Sequence, residues 1–251
     1  MSYDKKPEMI LFDVGGTLFD DGKCIPLDGL SALLGYADNP ELTDADALAA
    51  LWDEYMDEVD VGLRSKNGHQ LDIPLSAILR YITMKAGLHF SIPMPRQEEI
   101  FDRFNSTRKI TPGLTALLET LGKTGIRTAV ISNNGMSGES LSLAVKEWLP
   151  SSDFEFCLTS ADILLAKPDS SLFQAAAAFS GLETKDCWYC GDKIIPDVYG
   201  AVNSGMTPVL LDTKGELSCE YRSDGSVRYM TVKSWYVLDE YIKNNFGKGK
   251  E

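Results

Sequence analysis

The chain alternates short apolar runs with segments whose apolar residues recur at helical spacing. The runs are typical of buried strands, because strands of a parallel sheet are covered on both faces and are apolar throughout. They are Ile10–Phe12, Thr128–Ile131, Phe154–Leu158, Cys187–Cys190 and Pro208–Leu211. From residue 111 onward, helical periodicities lie between them, over 114–121, 141–148 and 172–177. This alternation predicts an α/β fold, a Rossmann-like doubly wound parallel sheet.

Residues 20–110 have a different character, because every convincing periodicity there is helical. The helical groups are Leu30–Leu34, Ala47–Tyr55, Ile78–Ile82 and Ile100–Phe104. The sequence therefore predicts two parts: an α/β core from residues 1–19 and 111–251, and an all-helical cap, residues 20–110, inserted after the first strand. An insertion at that point lies over the carboxyl edge of the sheet, where it can act as a lid.

Asp13 comes at the end of the first apolar run and is followed closely by Gly15 and Gly16. An aspartate at a strand end is most often a turn or helix cap. A carboxylate at the end of a buried strand, beside glycines that let backbone amides approach closely, is also how α/β proteins present a reactive group. Asp13 is therefore a candidate nucleophile.

Other polar residues follow the later strands in a fixed order. Ser132 ends the second run, Lys167 with Pro168 precedes a helix start, and Asp192 ends a further strand, with Asp197 five residues later. Together with Asp13 and Thr17, these residues resemble the four motifs of the haloacid dehalogenase-like hydrolase superfamily. The resemblance covers most of the chain, and its specificity comes from the order and spacing of all four motifs.

The resemblance implies a phosphatase-type hydrolase that acts on a small phosphorylated metabolite. An aspartyl-phosphate would form on Asp13, with Ser132 and Lys167 as further catalytic residues. The residues that would bind substrate are Thr17, Asn133 and Asn134, and those that would hold Mg²⁺ are Asp13, Gly15 through its carbonyl, Asp192 and Asp197. Oxygen ligands of this kind suit Mg²⁺, and Asp197 could bind it directly or through a water molecule. The cap would close on substrate and exclude water.

Gly15 departs from the commonest form of the family, in which a second aspartate two residues after the nucleophile acts as general acid and base. Glycine cannot transfer a proton, and this help is worth ~10²–10⁴ in rate. We therefore expect phosphates with good leaving groups, such as acyl and aryl phosphates, to react faster than alkyl phosphates. A cap residue such as His69 could replace the missing group.

Three other functions stay open. The family's phosphonatases also lack the second aspartate and use a cap lysine, for which Lys23, Lys66 and Lys85 are available. The family's dehalogenases lack it too, but need no metal, and clustered carboxylates such as Asp192 and Asp197 repel one another without a cation. A weakly active or non-catalytic binding member is the third.

Composition narrows the partners and the location. The chain has 251 residues, 44% of them hydrophobic, and a formal net charge of −13, which disfavours nucleic acid and anionic membranes as partners. No secretory signal or membrane-spanning run is recognised, so we expect a cytoplasmic protein. The five cysteines indicate reduced thiols, and the Cys187/Cys190 pair is interpreted as core. The sequence sets neither the substrate nor the oligomeric state.

Overall fold

The computed structural model describes residues 3–59, 71–214, 219–224 and 227–247. The strands are β1 Met9–Phe12, β2 Phe19–Cys24, β3 Ser106–Ile110, β4 Arg127–Ser132, β5 Cys157–Thr159, β6 Cys187–Gly191, β7 Thr207–Leu211, β8 Cys219–Asp224 and β9 Val227–Val232. The α-helices are α1 Pro26–Leu34, α2 Ala45–Val59, α3 Leu75–Lys85, α4 Met94–Asn105, α5 Leu114–Thr124, α6 Gly138–Trp148, α7 Ser160–Ile163, α8 Ser170–Phe179, α9 Gly200–Ser204 and α10 Trp235–Phe246. A π-helix spans Ile194–Tyr199, and 3₁₀ turns lie at Pro40–Leu42 and Thr184–Asp186.

Seven strands form the main sheet in the order β5-β4-β1-β6-β7-β9-β8. The pairs from β5 to β9 are parallel, and β8 is antiparallel to β9 at the edge. β1 lies between β4 and β6, and all four of its residues are buried. The predicted α/β class and doubly wound parallel sheet are confirmed. The strand predicted at Phe154–Leu158 begins three residues further along the chain, as β5 (Cys157–Thr159), and the edge strands β8 and β9 were not predicted.

Each face of the sheet is covered by helices. One face carries the apolar sides of α5, α6 and α10, and the other packs against α8. Successive residues of β6 point to opposite faces of the sheet. Cys190 therefore lies in the apolar core on the side of α5, α6 and α10, and Cys187 lies in the core on the side of α8. Both are free, buried thiols, which agrees with their interpretation as core residues.

The helices α1 to α4 pack on one another and on the apolar core that lies on the side of α5, α6 and α10. Trp52 of α2 stacks on Phe101 of α4, with ring centroids 5.1 Å apart. Buried residues of these helices, such as Leu30 and Ile82, belong to the same apolar cluster as Phe12 of β1. This contact places the helical segment against the core, although the domain bounds proposed above stay a prediction.

One correction concerns the two ends of the segment 20–110, where the structure has strands. β2 and β3 pair antiparallel, with Phe19 opposite Ile110 and Cys24 opposite Ser106. Helical periodicity could not indicate them, because β3 is polar and largely exposed and its partner lies far away in sequence. The pair forms a stem between the sheet and the helices.

Among the described residues, every helix is too short or too polar to cross a membrane.

Candidate active site

The carboxyl ends of three adjacent strands carry polar side chains at one edge of the sheet. Asp13 directly follows β1, Ser132 ends β4, and Asp192 directly follows β6. Because β1 pairs in parallel with both β4 and β6, the three ends lie side by side. A cavity of about 160 Å³ opens there. Its lining residues are Asp13, Val14, Gly15, Arg108, Ser132, Asn133, Asn134, Lys167, Lys193 and Pro196.

Lys167 is buried at the base of this cavity. Its Nζ lies 2.9 Å from Asp13 Oδ1 and 2.7 Å from Asp197 Oδ1, and donates to the Tyr189 hydroxyl at 2.6 Å. Burial alone lowers the pKa of Lys167, but the two carboxylates outweigh it, so the pKa lies above its ordinary value and the ammonium form is kept. The proximity of Asp13 and Lys167 expected from the sequence is therefore present.

Asp197 connects the lysine to the loop after β6. Its Oδ2 accepts hydrogen bonds from the backbone N–H groups of Asp192, at 3.1 Å, and Lys193, at 2.9 Å. A Cβ at Gly191 would lie 2.4 Å from the Asp197 carboxyl carbon, so glycine is needed there for close approach. Both oxygens of Asp197 thus have N–H partners within the protein. Burial raises the pKa of Asp197 although Lys167 opposes the shift.

Three carboxylates form a possible cation site at the same edge. Asp13, Asp192 and Asp197 each offer an oxygen, and these oxygens lie within 4.8 Å of one another. Asp192 Oδ1 is buried, and no hydrogen-bond donor reaches it in the described part of the chain. Burial raises the pKa of Asp192 to about 6, with Lys193 opposing and the other two carboxylates adding to the shift. This donor set fits Mg²⁺, which prefers oxygen ligands and carboxylates.

Ser132 and Asn133 line the cavity, and Asn133 also contacts the backbone of Lys167. The Asn133 side-chain amide donates to the backbone carbonyl of Lys167 at 3.0 Å and accepts from its N–H at 2.7 Å. The side chain predicted to bind substrate therefore holds the backbone of Lys167 in place. A substrate contact for Ser132 or Asn133 stays a prediction.

Asn134 and Thr17 also have structural contacts. The Asn134 N–H donates to Ser160 Oγ at 2.9 Å, and its side chain accepts from the Met136 N–H at 2.9 Å. Thr17 is fully buried and is not among the lining residues; its carbonyl accepts from Trp235 Nε1 at 2.8 Å. Asn134 borders the cavity, whereas Thr17 does not. Their predicted roles in substrate binding stay predictions.

Two residues at this site, Tyr189 and Arg108, were not predicted from the sequence. Tyr189 lies within the apolar run of β6, where an aromatic residue is ordinarily core, yet its hydroxyl contacts Lys167. Arg108 lies on β3 and reaches the cavity from the stem. A two-pronged ion pair with Asp102 holds its guanidinium, which also lies over the Trp148 ring at 5.7 Å from the centroid. The exposed, polar pattern of β3 offered no signal for either the strand or the site.

Residues of the helical segment contact the loops around the cavity. The Ser160 hydroxyl, which accepts from Asn134, donates to Asp72. On α4, Glu98 accepts from the hydroxyls of Ser137 and Ser140 at the start of α6. These contacts tie the segment to the loop that follows Ser132. His69 and Lys66, named above as candidates, lie outside the described residues.

A sequence model of the family described as haloacid dehalogenase-like hydrolase matches residues 10–211. The match contains the candidate nucleophile, the lysine and the carboxylates of the site. No curated protein resembles the chain closely enough to count as a match.

Solved structures resemble the fold at low sequence identity. A 2-haloacid dehalogenase from Pseudomonas syringae pv. Tomato DC3000 has a TM-score of 0.56 and 20% identity, and the match covers 95% of this chain and 99% of that chain. A HAD-superfamily hydrolase from Ehrlichia chaffeensis has a TM-score of 0.53 and 19% identity, and the match covers 96% of this chain and 98% of that chain. A HAD phosphatase from Thermococcus onnurineus has a TM-score of 0.52 and 20% identity, and the match covers 94% of this chain and 97% of that chain. The fold is thus found in both dehalogenases and phosphatases.

Proposed function

The chain belongs to the haloacid dehalogenase-like hydrolase family, and within this family we propose that it is a Mg²⁺-dependent phosphatase acting on a small phosphorylated metabolite. The reaction would pass through an aspartyl-phosphate on Asp13. A small-molecule substrate agrees with the modest cavity of about 160 Å³. We also propose that the enzyme acts in the cytoplasm, with neither nucleic acid nor membrane as a partner, in keeping with its net charge of −13.

The observation that carries the proposal is the group of carboxylates at the sheet edge. Three carboxylates with oxygens within 4.8 Å repel one another unless a cation lies among them. Lys167 pairs with both Asp13 and Asp197 but carries one positive charge against their two negative charges, and Asp192 Oδ1 is buried without a donor in the described residues. A phosphatase of this family needs such a cation, whereas a dehalogenase does not.

Each residue then has a separate task. Asp13 and Asp192, with the Gly15 carbonyl, would hold Mg²⁺, and Asp197 supports the site through the backbone of the loop after β6. Bound Mg²⁺ would neutralise the negative charge that builds up on the phosphoryl oxygens. An Asp13 oxygen forms a bond to phosphorus while the bond from phosphorus to the leaving oxygen breaks, and that oxygen departs with the electron pair. Water then attacks the phosphorus and releases phosphate, which restores the carboxylate.

Gly15 restricts the choice of substrate. It lines the cavity two residues after Asp13, and it carries no group that could protonate a leaving oxygen. Leaving groups that are stable as anions lose least from this absence, since general acid help is worth ~10²–10⁴ in rate. We therefore expect acyl and aryl phosphates to be better substrates than alkyl phosphates.

A phosphonatase function has less support. The phosphonatase reaction needs a lysine of the cap to form a Schiff base in the cavity, but neither Lys23 nor Lys85 lines it. The lysines that do line it, Lys167 and Lys193, lie outside the predicted cap. Lys85 instead pairs with Glu54. Lys66 lies outside the described residues. Borohydride trapping with phosphonoacetaldehyde tests this alternative directly, since a covalent adduct would favour it.

The proposal is tested with p-nitrophenyl phosphate and acetyl phosphate, each with Mg²⁺ and with EDTA, for the wild type, Asp13→Asn and Asp186→Asn. Asp186→Asn is the matched control, because this aspartate pairs with Lys5 just before the start of β6, away from the cavity. We expect Mg²⁺-dependent turnover in the wild type and the control. Asp13→Asn should lose about 10³-fold or more in kcat, as is typical when a nucleophile is removed.

The other outcomes decide between the remaining functions. Equal residual activity in the wild type and Asp13→Asn would show that turnover is not catalysed at this site and would favour a binding protein. Chloride release from a 2-chlorocarboxylic acid in EDTA, lost in Asp13→Asn, would favour a dehalogenase.

A further inference from the structure

The ammonium of Lys167 donates hydrogen bonds to Tyr189 and Asp197 and forms an ion pair with Asp13. A lysine ammonium has three N–H donors, and three oxygens surround Nζ: Asp13 Oδ1 at 2.9 Å, Asp197 Oδ1 at 2.7 Å and the Tyr189 hydroxyl at 2.6 Å. Only the first of these belongs to a residue that lines the cavity. The other two acceptors therefore fix the rotation of the ammonium from behind.

Tyr189 is itself held in place by several segments. Its hydroxyl lies 3.2 Å from the Ile131 carbonyl on β4 and 3.3 Å from Asp197 Oδ1, so either oxygen can accept its proton. Its ring meets Phe173 of α8 edge to face, with centroids 4.9 Å apart. Burial, with Asp197 and Asp13 adding, raises the pKa of Tyr189 well above its ordinary value, so the hydroxyl keeps its proton.

We propose that Tyr189 is a positioning residue for Lys167: its hydroxyl and Asp197 each accept one N–H of the ammonium, and these two hydrogen bonds hold Nζ at ion-pair distance from Asp13. The tyrosine touches neither substrate nor metal in this arrangement, and it acts through the lysine. Its effect on turnover rests on the proposed function, whereas its effect on the place of Lys167 does not.

Removal of the hydroxyl separates this role from packing. Tyr189→Phe keeps the ring against Phe173 but leaves one N–H of a fully buried ammonium without an acceptor, which is unfavourable. The ammonium is then expected to rotate or move away from Asp13. Since the carboxylates that would hold Mg²⁺ are unchanged, metal dependence should be preserved.

The experiment compares the wild type, Tyr189→Phe and Tyr3→Phe with p-nitrophenyl phosphate over a range of Mg²⁺ concentrations. Tyr3 is the matched control: its hydroxyl is also buried and bonded, to the Pro208 carbonyl and the Met230 N–H, and it does not line the cavity. In Tyr189→Phe we expect kcat to fall between about 10-fold and 100-fold, as for a misplaced catalytic group. KM and the Mg²⁺ concentration at half-saturation should stay within about twofold, because ground-state binding is unchanged. Tyr3→Phe should keep the wild-type kcat.

Crystal structures of both variants supply a second readout that does not depend on activity. In Tyr189→Phe, Lys167 Nζ should lie beyond hydrogen-bond distance of Asp13 Oδ1, and in Tyr3→Phe it should keep its place. An unmoved lysine, or an unchanged kcat in an active enzyme, overturns the inference. If the wild type has no turnover that depends on Asp13, the proposed function fails and the position of Lys167 alone decides this one.

Discussion

At the scale of single residues, Gly15 and Gly16 are neighbours with different constraints. Gly16 has a φ of 70°, in the left-handed region that favours glycine, and a Cβ there would lie 2.4 Å from Asp192 Oδ2. Gly15 does not adopt this conformation and lines the cavity. Gly16 is therefore required by the carboxylate beside it, whereas the backbone conformation of Gly15 is not restricted to glycine in this way. Position 15 comes two residues after Asp13, which is where the commonest form of the family has its second aspartate.

We predict that Gly15→Asp gains activity toward poor leaving groups. The new carboxyl group would supply the proton that an alkoxide needs, so kcat/KM for an alkyl phosphate should rise by about 10-fold to 100-fold, within the range of general acid catalysis. Aryl phosphates with acidic phenols need no such help and should change little. The measurement is the slope of log(kcat/KM) against the pKa of the leaving group, which should become shallower.

The control is the neighbouring Gly16→Ala, which should lose activity toward every substrate because its methyl group displaces Asp192. If Gly15→Asp lowers all rates equally, as Gly16→Ala is expected to do, the position is structural, and the missing acid is not what limits the enzyme.

At the scale of elements, the strands that carry the site were predictable and the stem was not. β1, β6 and the centre of β4 are apolar because both faces of the sheet are covered, and a polar residue ends or directly follows each strand at the same edge. Local pattern therefore located Asp13, Ser132 and Asp192. β3 is polar and largely exposed, and it pairs with β2 across the whole helical segment, so no local pattern indicates the pair.

The same limit applies to the contacts of the site. That Asp197 bonds the backbone after β6 and also Lys167 depends on the π-helix that follows this strand, which no periodicity indicated. The role of Tyr189 likewise depends on the direction of one hydroxyl within an apolar strand. Sequence could name the charged residues, because strand ends converge, but not the hydrogen bonds among them.

Glu98 of α4 provides a test of the connection between the helical segment and the core. Its Oε2 accepts from Ser137 Oγ at 2.9 Å, and also from the Ser140 hydroxyl, at the start of α6. A negative charge at a helix N-terminus is stabilising. Glu98→Gln keeps the shape but removes the charge, and should lower the free energy of unfolding by about 1.5–3 kcal/mol, the value of hydrogen bonds to a charged group. Urea unfolding measures the change.

Glu139→Gln is the matched control, because it removes a carboxylate from the first turn of the same helix, where the side chain is exposed. Exposed charges at a helix terminus are worth about 0.3–1 kcal/mol. Equal losses in the two variants would mean that Glu98 contributes only through the helix dipole and does not connect α4 to α6.

At the scale of the whole molecule, stability, pH and metal binding are linked through the carboxylates at the sheet edge. Asp192 has a pKa raised from 3.8 to about 6, chiefly by burial. The folded protein thus binds this proton more tightly than the unfolded chain does. The contribution to stability is fully present below about pH 4, falls as the pH rises toward 6, and is lost above it. Without a metal, the ionised site therefore weakens the fold at neutral pH.

On the proposed function, Mg²⁺ should reverse this loss, because it would bind the ionised carboxylate and compete with the proton. We predict that saturating Mg²⁺ raises the Tm little at about pH 5 and clearly more at about pH 7, since binding to the folded state stabilises it. Thermal unfolding with Mg²⁺ and with EDTA at each pH measures the difference. In Asp192→Asn, where no such proton exists, the Mg²⁺ effect should be small and independent of pH. A rise in Tm that is the same at both pH values, or that survives in Asp192→Asn, would place the cation away from Asp192 and remove the main support for a phosphatase site.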